Sequence, residues 1–251
     1  VPIPQHYSQQ KDSLSIVYVG RLIQKQKRIF DTVSIFIELA SKFKNITFTF
    51  IGDGPDRKKC EEFVINSGFK DRFKFTGMLK DDSYKNELAR HDVVILLSEY
   101  EGVPGSLMDS MASGLVPICF HYPGANELVI DRYTGFLVKD RRDSVIEIVS
   151  LLVTDIQLRR RISQNARQHI IKHFSMENSL IEWNKMIGTL TQGSESRNIS
   201  FTLPSDIVLP PMNDLLKEHI IEREPSIIQR MRLKLRLRAR VKSIVMRIRG
   251  I

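Results

Sequence analysis

Short apolar runs alternate with amphipathic stretches along most of the chain. Residues 93–97 are apolar at every position, which is typical of a strand buried on both faces of a parallel sheet. Residues 29–43 instead repeat apolar side chains every three or four positions and predict a helix. The same criteria predict strands at 15–19, 46–51, 72–76, 93–97, 116–120 and 135–138, helices at 29–43, 56–67, 81–90, 104–113 and 124–131, and two or three helical pieces from 143 to about 190 with a break near Phe174-Ser175.

This alternation of strands and helices predicts an α/β fold with a doubly wound, Rossmann-like parallel sheet. Ligands of such sheets bind outside the carboxyl ends of the strands. The polar loops that directly follow predicted strands are Gly20-Arg21, Gly52-Asp53-Gly54, Gly77-Met78 and Ser98 to Gly105. We therefore expect these loops to meet at one edge of the sheet and to form the ligand site there.

The strand and helix pattern ends near residue 190. Residues 191–225 contain the polar run GSESRN and four prolines, so we interpret them as a linker with one possible short helix at 213–222. Residues 1–13 are polar with two prolines and are also interpreted as a linker. These assignments leave 14–190 as a single α/β domain.

The net charge of +9 is concentrated in a basic tail, residues 226–251, which holds nine of the 38 Lys and Arg residues and none of the 29 acids. The rest of the chain is therefore neutral. Basic side chains interleaved with leucines favour contact with an anionic membrane surface. A solvated tail or a fragment of another domain is the alternative. The tail has no aromatic side chain for base stacking, which argues against nucleic acid as its partner.

A candidate anion site lies at the start of the predicted 104–113 helix. The backbone N–H groups of Gly105, Ser106 and Leu107 would lack partners in the helix and suit a phosphate. Glu101 in the preceding loop and Asp109 one turn into the helix would repel that phosphate unless each carboxylate binds something else. Sugar hydroxyls fit, because a carboxylate is a good acceptor. The alternative is that Asp109 is a solvated helix residue and Glu101 a turn acid.

A second candidate feature is the cation-rich loop after the first strand. Arg21 offers a planar guanidinium fork for a diphosphate, and one of Lys25, Lys27 and Arg28 would add a further charge. Together such groups can neutralise a leaving nucleoside diphosphate without a metal ion. A solvated basic loop is the alternative interpretation.

The residues after the fourth predicted strand resemble the donor-binding signature of retaining GT-B glycosyltransferases, glycosyltransferase family 4 (group 1). The matching residues are Glu101-Gly102, Met111-Ala112, Gly114, Pro117, Gly124, Glu127 and Thr134 to Val138. The family usually has Glu where this chain has Asp109, which is shorter by about one C–C bond, roughly 1.5 Å. The resemblance covers about residues 1–190 and implies the C-terminal donor-binding half of a GT-B fold.

The resemblance also implies roles for individual residues. Arg21 and Lys27 would bind the diphosphate, and Lys27 is favoured over its neighbours because the Ile29-Phe30-Asp31 run after it is similar to the family's. Asp109 would bind the ribose and Glu101 the transferred sugar. The implied catalytic residues are Glu101, Arg21 and Lys27, and the implied donor-binding residues are Arg21, Lys27, Glu101, Gly102, Gly105, Ser106, Leu107 and Asp109.

The implied function is retaining transfer of a sugar from a nucleoside diphosphate donor to a glycan or lipid-linked acceptor, without a metal or other cofactor. One alternative is a nucleotide-sugar binding module without catalysis, and a more distant one is a related GT-B fold that acts as a phosphorylase or epimerase. Residues that the family supplies from an N-terminal acceptor domain cannot be identified in this chain. Two lone cysteines, Cys60 and Cys119, are typical of a reduced setting. We therefore expect a cytoplasmic protein of surface-glycan assembly, with the basic tail at the inner face of the membrane.

Overall fold

The computed structural model describes residues 13–192, with side chains described to residue 189. The predictions for 1–12 and 193–251, which include most of both linkers, the helix at 213–222 and the basic tail, lie outside the described residues.

Within the described residues, six parallel strands form one sheet in the order β3-β2-β1-β4-β5-β6. The strands are β1 (Leu14–Val19), β2 (Ile46–Ile51), β3 (Phe73–Gly77), β4 (Val93–Leu96), β5 (Val116–Phe120) and β6 (Phe136–Val138). All six predicted strands are confirmed, and none of their ends differs from the prediction by more than one residue. The α/β, Rossmann-like fold class is confirmed as well.

The connections between the strands are helical. The helices are α1 (Gln24–Lys27), α2 (Ile29–Lys42), α3 (Arg57–Asn66), α4 (Asp81–Leu88), α5 (Gly105–Ala112), α6 (Pro123–Leu128), α7 (Asp143–Thr154), α8 (Ile156–Phe174) and α9 (Met176–Gln192). The predicted break at Ser175 is confirmed between α8 and α9. None of the helices in this part of the chain combines the length and apolarity that a membrane crossing requires.

Helix α1 contradicts the prediction of a loop between the first strand and α2. Its sequence, QKQK, contains no apolar residue, so no hydrophobic periodicity could indicate it. Hydrogen bonds from outside hold this single turn: Asp56 accepts from the Gln24 N–H at 2.7 Å, and the Gln24 side chain accepts from the Phe30 N–H at 2.7 Å. The turn therefore depends on tertiary contacts.

The core lies on both faces of the sheet. All four residues of β4 are buried, as expected for a parallel strand covered by helices on each side. Helix α2 buries a stripe that includes Val33 and Phe36, and Phe36 stacks on Phe48 of β2 with ring centroids 4.9 Å apart. This packing fixes the sheet and leaves the loops at the carboxyl ends of the strands to form a site.

Candidate functional site

The strand order reverses between β1 and β4, which pair side by side although three helical connections separate them in the chain. In open α/β sheets this switch point opens a crevice at the carboxyl ends of the two strands. The loop after β1 carries Arg21 and leads to α1, and the loop after β4 carries Glu101. The two charged loops predicted from the sequence therefore border the same crevice.

An ion pair joins α1, which follows the first of these loops, to the loop after β4. Lys27 Nζ lies 2.6 Å from Glu101 Oε2, and the side chains are only 14% and 11% exposed. The Ser98 hydroxyl, which is fully buried, donates to the other carboxylate oxygen, Oε1, at 2.5 Å. Both oxygens of Glu101 thus have a protein partner. Ser98 was not predicted, because a single serine at the end of a strand carries no distinctive pattern.

Further hydrogen bonds hold α1 against the loop after β4. The Glu99 N–H donates to the Gln26 carbonyl at 2.8 Å. The Gln26 side-chain amide donates to the Tyr100 carbonyl at 3.1 Å. Together with the Lys27–Glu101 pair, these bonds give the two loops a defined relative position before any ligand binds.

The other cations of the first loop have different surroundings. Arg21 is exposed, and its backbone carbonyl accepts a hydrogen bond of 2.8 Å from the Tyr18 hydroxyl. Lys25 is exposed. Arg28, in the left-handed backbone region at φ 52°, lies 2.7 Å from Asp31 and 3.8 Å from Glu99. Of the three candidates, only Lys27 contacts Glu101.

The start of α5 differs in one respect from the prediction. Pro104 is the N-cap residue, and the Leu107 N–H donates to its carbonyl at 3.0 Å. The expectation that Leu107 offers an unpaired donor is therefore wrong, because the first turn of the helix closes with a hydrogen bond between residues three apart, as in a 3-10 helix. The amides of Gly105 and Ser106 have no hydrogen-bond partner within residues 13–192. A Cβ atom at Gly102 or Gly105 would meet no atom within 4 Å, so the space beside these amides is open.

Asp109 is anchored to a different element from Glu101. It is exposed and accepts a hydrogen bond of 3.3 Å from the Tyr84 hydroxyl of α4. Partial desolvation raises the pKa of the Asp109 carboxyl above its ordinary value, while the Tyr84 hydroxyl and the charge of Lys85 act in the opposite direction. Glu101 therefore belongs to the crevice between the loops, and Asp109 to the junction of α4 and α5.

Three glycines allow the loops to pack backbone against backbone. A Cβ atom at Gly52 would lie 2.0 Å from the Gly20 carbonyl oxygen, and one at Gly54 would lie 2.3 Å from that of Leu22. A Cβ at Gly124, in α6, would lie 1.6 Å from the Gly102 carbonyl oxygen. No side chain larger than hydrogen fits at these positions. The glycines after β2 thus serve loop packing.

The reversed strand order and the charged loops at the switch point define a Rossmann-like α/β domain with its polar loops at one edge of the sheet. A family model described as Glycosyl transferases group 1 matches residues 3–169. The chain belongs to this glycosyltransferase family.

Relatives with established names cover a range of sugar transfers. An N-acetyl-alpha-D-glucosaminyl L-malate synthase from Bacillus anthracis is 30% identical over 156 residues, which are 61% of this chain and 40% of that protein. An alpha-1,4-N-acetyl-D-galactosaminyltransferase from Campylobacter jejuni, named for a PP-undecaprenol substrate, is 28% identical over 71% of this chain and 48% of that protein. The chain spans less than half the length of either relative.

Solved structures share the fold. The C-terminal domain of a group 1 glycosyl transferase family protein (LpcC) from Francisella tularensis has a TM-score of 0.60 at 23% identity and covers 70% of this chain and 95% of that one. HepE from Anabaena, solved with UDP and glucose, has a TM-score of 0.61 at 19% identity and covers 73% of this chain and 49% of that one. The described residues therefore have the fold of a C-terminal domain in glycosyltransferases of this type.

Proposed function

We propose that this chain is the donor-binding half of a retaining glycosyltransferase of family 4 and that it binds a nucleoside diphosphate sugar. The Lys27–Glu101 pair at the switch point, a few residues before the open start of α5, is the observation that carries the proposal. The proposal combines this cation and this acid with the amides of Gly105 and Ser106, which have no hydrogen-bond partner among the described residues. UDP is the first nucleotide to test, because HepE was solved with UDP and a second structure with this fold, the pneumococcal transferase GtfA, with UDP and GlcNAc.

The ion pair is compatible with a role for both partners in donor binding. An ammonium group has three donors and a carboxylate about four acceptor sites, so Lys27 can bind phosphate and Glu101 a sugar hydroxyl while they remain paired. Arg21, which is exposed on the loop that leads to α1, would bind the diphosphate through its guanidinium fork. The amides of Gly105 and Ser106 would complete the phosphate site, and Asp109 would bind the ribose.

In this proposal no metal ion takes part in the transfer. The diphosphate leaves with its negative charge, and Arg21, Lys27 and the first amides of α5 would stabilise that charge as it develops. Glu101 would orient the transferred sugar through its hydroxyl groups. The reacting groups that face the acceptor would come from outside this domain, since the relatives are more than twice the length of the matched region.

The proposed acceptor is a glycan or a lipid-linked sugar of surface-polysaccharide assembly. Two relatives support this class through their names, one with PP-undecaprenol and one with diphosphoundecaprenol. A binding module without catalysis has the same expected affinities for nucleotides. A sugar-transfer assay on a protein that also contains an acceptor half would distinguish a transferase from a binding module.

The proposed location is the cytoplasmic face of the membrane, with the basic tail as the contact. The tail combines nine cations with interleaved apolar side chains, and each cation near an anionic surface contributes about 1 kcal/mol. We expect the full chain to co-sediment with vesicles containing anionic lipid at low salt, and a 1–225 truncation to stay in the supernatant. Equal sedimentation of both proteins would contradict the role of the tail.

Replacing Arg21 by alanine tests the diphosphate site. A thermal-shift screen with UDP, GDP, ADP and their glucose esters first identifies the ligand. For the nucleotide that binds, Arg21→Ala is expected to weaken binding by about 1.5–3 kcal/mol, the range for hydrogen bonds to charged groups. Calorimetry measures this change in affinity. Because the proposed site uses no metal ion, EDTA is expected to leave the affinity of the wild-type chain unchanged. Arg132→Ala is the matched control, because Arg132 is exposed on a different loop and pairs only locally with Asp131. Equal affinities in wild type and Arg21→Ala would remove Arg21 from the site.

A further inference from the structure

Arg141, in the loop between β6 and α7, reaches across the end of β5 to the loop that carries Glu101. Its guanidinium carbon lies 3.5 Å from the ring centroid of Phe120, the last residue of β5. Its Nε donates to the Leu97 carbonyl at 3.1 Å, and its Nη2 donates to Glu99 at 2.8 Å. One planar side chain thus stacks on a ring and uses two donors of its fork at once, which a lysine cannot reproduce.

The bond to the Leu97 carbonyl is the important one for the site. The ion pair with Glu99 involves a side chain that is 48% exposed, and exposed pairs stabilise little by themselves. Leu97 is fully buried directly after β4, and its carbonyl belongs to the peptide that leads into Ser98. The Ser98 hydroxyl in turn donates to Glu101. Two hydrogen bonds, with the Leu97–Ser98 peptide between them, therefore connect Arg141 to the carboxylate of Glu101.

The contact with Glu99 braces the same loop from a second direction. Glu99 lies between Arg141 at 2.8 Å and Arg28 at 3.8 Å, and its N–H donates to the Gln26 carbonyl. The loop after β4 is thus held on one side by α1 and its neighbour Arg28, and on the other by Arg141. Neither arginine contacts Glu101 itself in this arrangement.

We propose that Arg141 is a positioning residue: through Leu97, Ser98 and Glu99 it holds Glu101 in the orientation that binds the transferred sugar. This inference rests on the proposed function, in which Glu101 binds that sugar. It predicts that loss of the guanidinium affects recognition of the sugar and leaves recognition of the bare nucleoside diphosphate nearly unchanged.

The test compares Arg141→Met, Arg141→Lys and the matched control Arg142→Met in the full chain. Arg142 is adjacent and 63% exposed, but it pairs with Glu38 and Asp143 instead of the loop after β4. Hydrogen exchange at the backbone amides of residues 98–102 measures how readily the loop opens in the absence of a ligand. Calorimetry with UDP, GDP and ADP and with their glucose esters reports the ratio of sugar-nucleotide affinity to nucleotide affinity. The same ratio is measured for Arg141→Met in a Glu101→Gln background.

We expect Arg141→Met to speed exchange at residues 98–102 and to lower the affinity ratio by about three- to tenfold, as is usual for coupled neighbours. Arg141→Lys should lie between wild type and Arg141→Met, and Arg142→Met should match wild type. In the Glu101→Gln background Arg141→Met should cause no further fall. An equal loss for nucleotide and sugar nucleotide, an unchanged ratio, or a full additional loss beside Glu101→Gln would overturn the inference. If wild type binds none of the ligands, the proposed function fails, and unchanged exchange in Arg141→Met would separately show that Arg141 does not position the loop.

Discussion

Replacing Lys27 by methionine is expected to abolish most of the affinity for the nucleoside diphosphate and to destabilise the domain. Loss of a charged hydrogen bond to phosphate costs about 1.5–3 kcal/mol, which corresponds to roughly tenfold or more in affinity. The methionine also leaves the Glu101 carboxylate, 11% exposed, with Ser98 as its remaining contact. Removing one partner of a buried pair costs 3–5 kcal/mol, and we expect about 2–3 kcal/mol here because both side chains retain some contact with water.

Two further variants separate the effect on binding from that on stability. In the double variant Lys27→Met/Glu101→Gln no charge is left unpaired, and the glutamine can still accept from Ser98, so stability should recover while nucleotide affinity stays low. Lys25→Met is the matched control, since Lys25 is an exposed lysine two positions away. Urea denaturation and calorimetry measure the two quantities. A Lys25→Met variant that loses as much affinity as Lys27→Met would contradict the assignment of Lys27.

Replacing Gly124 by alanine is expected to disrupt the candidate site more than the addition of a methyl group at any of the other glycines. The new Cβ would lie 1.6 Å from the Gly102 carbonyl oxygen and 3.1 Å from that of Glu101. Both sides of this contact are backbone, so neither α6 nor the loop can yield by a side-chain rotation. Overpacking usually costs 1–3 kcal/mol, and with two backbones in contact we expect about 3 kcal/mol or more.

Gly102→Ala is the control for this substitution, because it adds the same methyl group on the other side of the same contact. A Cβ at Gly102 would meet no atom within 4 Å, so its denaturation midpoint should match wild type. Gly124→Ala should unfold at a clearly lower denaturant concentration and lose nucleotide binding as well. If both variants unfold like wild type, the loop after β4 and α6 do not touch in solution.

The sequence predicted the strands and most helices closely because hydrophobic periodicity is strong in this fold. Buried parallel strands such as β4 are continuous apolar runs, and α2 has one apolar stripe. Helix α1 was missed because its four polar residues have no such pattern and depend on Asp56 from another loop. Sequence patterns fail in the same way wherever long-range hydrogen bonds, and not local preference, determine the backbone conformation.

The candidate site was predicted in its parts but not in its connections. Glu101 and Lys27 were identified separately, and their direct pairing depends on two loops that are 74 residues apart in the chain and meet at the switch point. Arg141 could not be found from the sequence, because an arginine in a basic loop usually indicates only a solvated surface. The free donor expected at Leu107 was wrong because the tightening of a first helical turn depends on the cap geometry at Pro104.

The glycine contacts described above also limit where this edge of the sheet can vary in sequence. A side chain at Gly52, Gly54 or Gly124 would push apart loops that hold the whole edge together, so inherited or engineered variation has little room there. Met78, Tyr100 and Val103 are exposed large side chains on the loops after β3 and β4. A mutant library that varies this edge of the sheet should randomise these three exposed positions and keep the glycines fixed.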